Sequence, residues 1–265
     1  MHQLALENPT HFEVHSLQAC RDHGAWLRGL KVRDLRPELL DLPGVSQDSH
    51  DAALLGLERV NIVSRTGAVV WKALRHVAQD LDHPLSILEL ASGGGDMAVD
   101  LVRRAQRAAV PVEYTGLDFS KAAVALARRR ATAIVRIANS RMEFLKEDVF
   151  AWKPERRYDV VVCSLFLHHL SFSSATELLR RMAALSRRLV VVNDLVRGRW
   201  GYWAAKIVCP LVSRSEIVRC DGPQSVAAAF RLDEVRRIAS EAGLHDATVR
   251  HVWPFRFQLT WEPCA

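Results

Sequence analysis

The stretch Ile87-Leu88-Glu89-Leu90-Ala91-Ser92-Gly93-Gly94-Gly95-Asp96 decides the fold. A short apolar run passes directly into three glycines and then into an acid that opens a helical pattern. Glycines in such a turn let the backbone approach a ligand closely, and the unpaired N–H groups of a helix start favour an anion. Working outward, Leu85 to Leu90, Val112 to Leu117, Met142 to Leu145, Tyr158 to Leu165 and Arg188 to Asn193 read as strands. Between them Asp96 to Ala108, Ser120 to Ala138 and Ser174 to Leu185 read as helices, and Ser174 with Glu177 fits a capping box. Strands alternating with helices predict a parallel sheet covered on both faces, the α/β class. Leu232 to Ala242, stopped by Gly243, is the last helix, and Thr248 to Val252 and Phe255 to Trp261 are two closing strands.

Two regions depart from this alternation. Asp51 to Ala78 spaces Leu54, Leu57, Val60, Val63 and Val70 as a helical face requires, with a break near Gly67, so residues 1–84 read as an N-terminal helical cap. Residues 85–265 form the main domain, and 196–229 fit neither period and read as an inserted lid. The 265 residues are 49% apolar and 25% charged, enough for a full core, which excludes a disordered chain or a disulfide scaffold. The formal charge of +6 is scattered in short Arg clusters such as Arg128 to Arg130, unlike the compact basic patch of a nucleic-acid binder. Cysteines at 20, 163, 209, 220 and 264 are odd in number and lack CxxC spacing, which predicts a reducing, cytoplasmic setting. Met1 to His15 carries Glu7, Glu13 and three histidines where a signal peptide needs a basic start and an apolar run. The longest apolar stretch, Val160 to Leu167, is too short to span a bilayer.

Three strand ends carry polar groups suited to a nucleoside. After the glycine turn, Asp118 ends the second strand, where a carboxylate accepts both ribose hydroxyls. Lys146-Glu147-Asp148-Val149-Phe150 puts another acid after the third strand, suited to an adenine amino group. Gly93-x-Gly95-x-x-Ala98 also satisfies the dinucleotide fingerprint, so an NAD(P)-dependent oxidoreductase stays open at this point.

Over roughly residues 85 to 262 the chain resembles the class I S-adenosylmethionine-dependent methyltransferases, and within them the small-molecule, natural-product branch. In that family an acid precedes the glycine turn, matched by Glu89, and the turn glycines match Gly93 and Gly95, with Ala91 where the first glycine usually stands. The resemblance implies a Rossmann-like seven-stranded sheet, mostly parallel with an antiparallel last strand. It also implies that S-adenosyl-L-methionine is held by Glu89, Ala91, Gly93, Gly95, Asp118, Phe119, Asp148, Val149 and Ser164. His168-His169, after the fourth strand, resembles a histidine pair of the small-molecule branch, and either residue is a candidate general base. Trp200, Tyr202 and Trp203, on the lid, are expected to wall a flat apolar acceptor. Asn193-Asp194 sits where a related catechol branch binds Mg²⁺, but the fourth strand ends in Ser164 rather than an acid, and the histidine pair lacks a third ligand at useful spacing. No metal is therefore expected, and Asp194 is assigned to capping or orienting the lid. Asp34-Leu35-Arg36-Pro37-Glu38-Leu39 and Arg59-Val60-Asn61 resemble, more loosely, the capping segments of the same group.

The expected function is metal-independent O-methylation of a small aromatic or polyketide-like acceptor, with no nucleic-acid partner, no membrane span and an open oligomeric state. C-methylation of a quinol precursor and a catalytically silent cofactor-binding scaffold are the other readings.

Overall fold

A computed structural model describes residues 30–42, 45–135 and 140–263. The segment Met1 to His15, Cys20, Cys264 and the helical positions expected at 136–138 lie outside the described residues. The strands are β1 (Leu85–Leu90), β2 (Val112–Asp118), β3 (Arg141–Lys146), β4 (Tyr158–Ser164), β5 (Ser186–Leu195), β6 (Thr248–Val252) and β7 (Arg256–Trp261). They form one seven-stranded sheet in the order β3-β2-β1-β4-β5-β7-β6. Strands β1 to β5 pair in parallel, and β7 runs antiparallel to both β5 and β6. This is the Rossmann-like sheet with a reversed last strand.

The sheet is covered on both faces, which is why β1 and β4 read as unbroken apolar runs rather than alternating ones. Alternate residues feed opposite layers: Ile87, Val160, Val162 and Val191 face one apolar cluster, Leu88, Val161, Cys163 and Val192 the other. The first layer contains α2 (Thr66–Leu74), α3 (Asp96–Arg107) and α4 (Lys121–Val135); the second contains α5 (Phe172–Leu185) and α8 (Leu232–Glu241). Truncating a fully buried side chain such as Leu88 to alanine costs about 2–5 kcal/mol.

The helices correct the expected boundaries in three places. The cap region holds two helices, α1 (Gln47–Val63), whose N-cap is Ser46, and α2, with the expected break near Gly67 falling at Arg65, φ 53°. Gly67 itself lies inside α2, where a Cβ would stand 2.1 Å from Asp100 Oδ2 of α3. Helix α5 starts at Phe172, where Ser171 Oγ accepts from Ser174 N at 3.1 Å. Ser174 is thus already in the first turn, and Glu177 reaches Arg180 instead of closing a capping box. The lid is helical, as α6 (Arg199–Val212) and α7 (Glu216–Ala228), each with an internal proline.

Cap and lid interlock. Ala53, Cys209 and Val218 form a small apolar cluster across α1, α6 and α7, and Asp221 of α7 accepts from the backbone of Leu39 at 2.8 Å and Leu40 at 3.1 Å. The cap also grips the reversed strand: Arg256 donates to Thr66 and Asn61, and Gln258 donates to the Val69 carbonyl. Among the described residues no helix is long and apolar enough to cross a membrane.

Candidate active site

The strand order reverses between β1 and β4, and in open α/β sheets ligands bind beyond the strand ends at this switch point. Both central strands end in strained backbone there. Ala91 has φ 56° and Leu165 φ 55°, left-handed values that cost a non-glycine residue roughly 1–2 kcal/mol. Such strain clusters at ligand-binding sites. The turn after β1 continues through Gly93, φ 53°, and Gly95, φ 74°. A Cβ on Gly93 would meet nothing within 4 Å, so the turn faces an open cradle, whereas one on Gly95 would press on Ala127 at 2.9 Å.

Asp118, at the end of β2, ties this cradle together. Its carboxylate accepts from Gly93 N at 2.7 Å and from Ser120 N at 2.8 Å. Each carboxylate oxygen accepts more than one hydrogen bond, so the same group remains chemically suited to ribose hydroxyls. Next to it, Phe119 is exposed. Asp148 is fixed by accepting from Phe150 N at 2.8 Å, and Val149 is buried under the β3 end. Glu89 is buried on β1 and accepts from the Tyr114 hydroxyl at 2.5 Å; burial pushes its carboxyl well above the ordinary carboxylate range. Ser92 Oγ and Asn193 Oδ1 are buried without a hydrogen-bond partner among the described residues, Asn193 being within 3.4 Å of Ser164 Oγ through its amide nitrogen. Orphaned polar atoms at the rim of a cradle fit a site that a polar ligand completes.

The cap also reaches this edge. Arg130 bridges the Gly94 carbonyl at 2.8 Å and Glu58 of α1 at 2.6 Å, and Asn61 donates to Asp96 at 2.9 Å. These contacts hold α1 over the glycine turn.

A second polar cluster is built around His168, buried in a short 3-10 turn, Leu167–His169, after β4. Its Nδ1 stands 2.7 Å from Asp194 Oδ1, and its backbone N–H donates to Asp194 Oδ2 at 3.2 Å. Its Nε2 lies 3.5 Å from Glu38 Oε1, and the His169 Nε2 lies 3.8 Å from Glu38 Oε2. Burial alone would push the imidazole pKa down, but the two carboxylates raise it to about 10. Glu38 and Asp194, in turn, are held below their ordinary values against their own burial by the histidines. Asp194 therefore orients His168, not the lid. Arg33 completes the frame by donating to the carbonyls of His168, Leu170 and Ala228.

The lid aromatics stand apart in exposure. Trp200 is 68% exposed and Trp203 44%, while Tyr202 is half-buried and meets Trp203 edge-on at 6.4 Å. A separate cleft of about 450 Å³ lined by Trp71, His76 and Val110 lies beside the start of β2, at the opposite strand ends, and has no part in this site.

Residues 87–188 match the family model of the methyltransferase domain. This segment of the chain is a methyltransferase domain. A demethylmenaquinone methyltransferase of Thermus thermophilus is 35% identical over 112 residues, 42% of this chain and 47% of that protein. The match thus spans about half the length of that curated relative. Magnesium protoporphyrin IX methyltransferase from Synechocystis, solved with S-adenosylhomocysteine, shares the fold at a TM-score of 0.54 and 16% identity, over 95% of this chain and all of the other. The plantazolicin methyltransferase, solved with a pentazolic substrate analogue and S-adenosylhomocysteine, aligns at 0.54 and 13% identity over 96% and 99%. S-adenosylmethionine is the methyl donor of this family.

The methyltransferase domain also replaces the dinucleotide reading of Gly93-x-Gly95-x-x-Ala98. A second mononucleotide unit would continue the sheet in parallel, whereas β5 is followed in the sheet by the antiparallel β7. Glu38, Arg33, Asn61 and Tyr114 had no assigned role from sequence. The segments Asp34 to Leu39 and Arg59 to Asn61 carried a faint signal, their likeness to capping segments, but nothing in their spacing showed that Glu38 faces the histidine pair.

Proposed function

We propose that the protein transfers a methyl group from S-adenosylmethionine to a hydroxyl oxygen of a small aromatic or polyketide-like acceptor. One observation carries this reading: the glycine cradle with Asp118 and the buried Glu38–His168–Asp194 cluster converge on the same edge of the sheet. Bound there, S-adenosylmethionine supplies an electrophilic methyl carbon on a sulfonium. Glu89, Ala91, Gly93, Gly95, Asp118, Phe119, Asp148, Val149 and Ser164 are the residues assigned to it. Gly93 and Gly95 shape the turn, Asp118 takes the ribose hydroxyls, and Asp148 takes the adenine amino group with Phe119 and Val149 beside it.

His168, paired with Asp194 and Glu38, is a positioning residue in this scheme rather than the base, because a doubly bonded imidazolium has no lone pair to offer. His169, a quarter exposed and next to Glu38, receives the acceptor's proton. Its transfer leaves the acceptor oxygen free to attack in line as the carbon–sulfur bond breaks. Trp200, Tyr202 and Trp203 offer an aromatic wall for a flat ring.

C-methylation of a quinol precursor is the second reading, and the Thermus thermophilus relative favours it. Mass spectrometry with NMR of products from a panel of phenols and quinols separates the two, because an O-methyl product loses its exchangeable hydroxyl proton and a C-methyl product keeps it. Donor binding without methyl transfer to any phenol, quinol or amine would support a silent scaffold and remove both.

A further inference from the structure

We propose that Glu38, His168 and His169 form a binding site for a divalent transition-metal ion, Zn²⁺ being the ion whose donor preferences fit best. Their three ligand atoms, two imidazole nitrogens and a carboxylate oxygen, all lie within 4.8 Å of one another. Two of the separations are 3.5 Å and 3.8 Å. Zn–N and Zn–O lengths of about 2.0–2.2 Å put tetrahedral donors roughly 3.3–3.6 Å apart, so the two carboxylate–imidazole separations are near that spacing and the third closes on the ion. Two histidines and one glutamate with an open fourth position are a zinc-type set, and imidazole donors disfavour Mg²⁺.

The surroundings have the features that metal-ligating histidines require. His168 Nδ1 stands 2.7 Å from Asp194, which keeps a proton on that nitrogen, so a cation arriving at Nε2 displaces the imidazolium's other proton to solvent and takes its place. Glu38 is itself oriented by accepting from Ser225 Oγ at 2.5 Å, so the third ligand is fixed from the lid helix. The two imidazole rings lie with centroids 4.3 Å apart at a tilt of 34°, and both Nε2 atoms lie near the Glu38 carboxylate. Arg33 holds the His168 and Leu170 carbonyls and so fixes the turn that carries the pair. Glu38 and Asp194 bring two carboxylates to the cluster, enough to balance a dication with neutral imidazoles.

The sequence offered no third ligand because Glu38 is remote in the chain; the fold supplies it by laying the cap segment against α7 and the 3-10 turn. On this proposal the site takes a metal where the sequence led to none being expected. Resting on the methyltransferase reading, the open position would take the acceptor's hydroxyl oxygen, and the proton would leave to solvent as the oxygen binds the metal, with His169 then a ligand instead of a base.

The test is metal content and affinity in the full chain. After chelator treatment and reloading with Zn²⁺, gel-filtered protein should retain one zinc per chain, and Co²⁺ should give an absorption band of a low-coordinate site. Glu38→Gln and His169→Ala should each weaken zinc binding at least tenfold while S-adenosylhomocysteine still binds, which shows that the variants are folded. Cys220→Ser should keep full zinc binding. Absence of stoichiometric zinc in the wild type, or equal zinc binding in Glu38→Gln and His169→Ala, would overturn the proposal. Zinc binding with no S-adenosylhomocysteine binding would leave the metal site standing and remove the methyltransferase reading.

Discussion

The two halves of the working edge are built by different means. The donor half uses residues close in sequence: the glycine turn follows β1 directly, and Asp118 and Asp148 end or follow β2 and β3. Its central contact, Asp118 to Gly93 N, joins adjacent parallel strands. The acceptor half uses residues from the cap, the β4 turn, the end of β5 and the lid, and its contacts are ion pairs buried among them. The donor half therefore depends on backbone geometry, and the acceptor half on charge balance in a dry environment. Substitutions should hurt the first in affinity and the second in stability.

The largest effect is expected in the acceptor half. His168→Ala leaves the Glu38 and Asp194 carboxylates buried without their counter-charge, so stability should fall by about 3–5 kcal/mol in urea denaturation. A loss under about 1 kcal/mol would show that the carboxylates do not depend on the imidazole. In the donor half, Asp118→Ala removes the partner of Gly93 N and, on the proposed reading, the acceptor of the ribose hydroxyls. Affinity for S-adenosylhomocysteine should drop roughly a hundredfold, about 2–3 kcal/mol, by calorimetry. Gly93→Ala places a methyl in the open cradle at φ 53°, and should cost about tenfold in donor affinity and roughly 1 kcal/mol in stability.

The same contrast explains what sequence could show. The strand–turn–helix units of the donor half were legible because their apolar runs, glycines and helical periods are contiguous in the chain. The apolar runs of β1 and β4 were legible for similar reasons, whereas the reversal of β7 followed from the family resemblance. Glu38 was not, because its role depends on the cap segment being pinned by Asp221 and Arg33, contacts that no local period encodes. The lid was read as irregular because Pro210 and Pro223 interrupt its helical pattern, although both helices pass through their prolines. Ala91 was legible as a departure, and its left-handed φ of 56° shows that the fold imposes the glycine conformation on an alanine.

Smaller effects sharpen the comparison. Glu89 is pushed up by burial, so between the ordinary carboxylate range and its folded value the native state holds a proton that the unfolded state has released. Its contribution therefore makes stability fall as pH rises through that window. Glu89→Gln should remove this slope in melting curves taken at successive pH values, and an unchanged slope would place the cause elsewhere. Smallest of all, Trp200→Ala should leave stability within about 0.5 kcal/mol, since the side chain is exposed, while raising KM for an aromatic acceptor severalfold with donor affinity unchanged.

The most direct test of the central claim is calorimetric titration of the intact protein with S-adenosylhomocysteine and, separately, with NADH. The account predicts saturable binding of one S-adenosylhomocysteine per chain and no heat of binding from NADH. Saturable NADH binding with none of S-adenosylhomocysteine would contradict it.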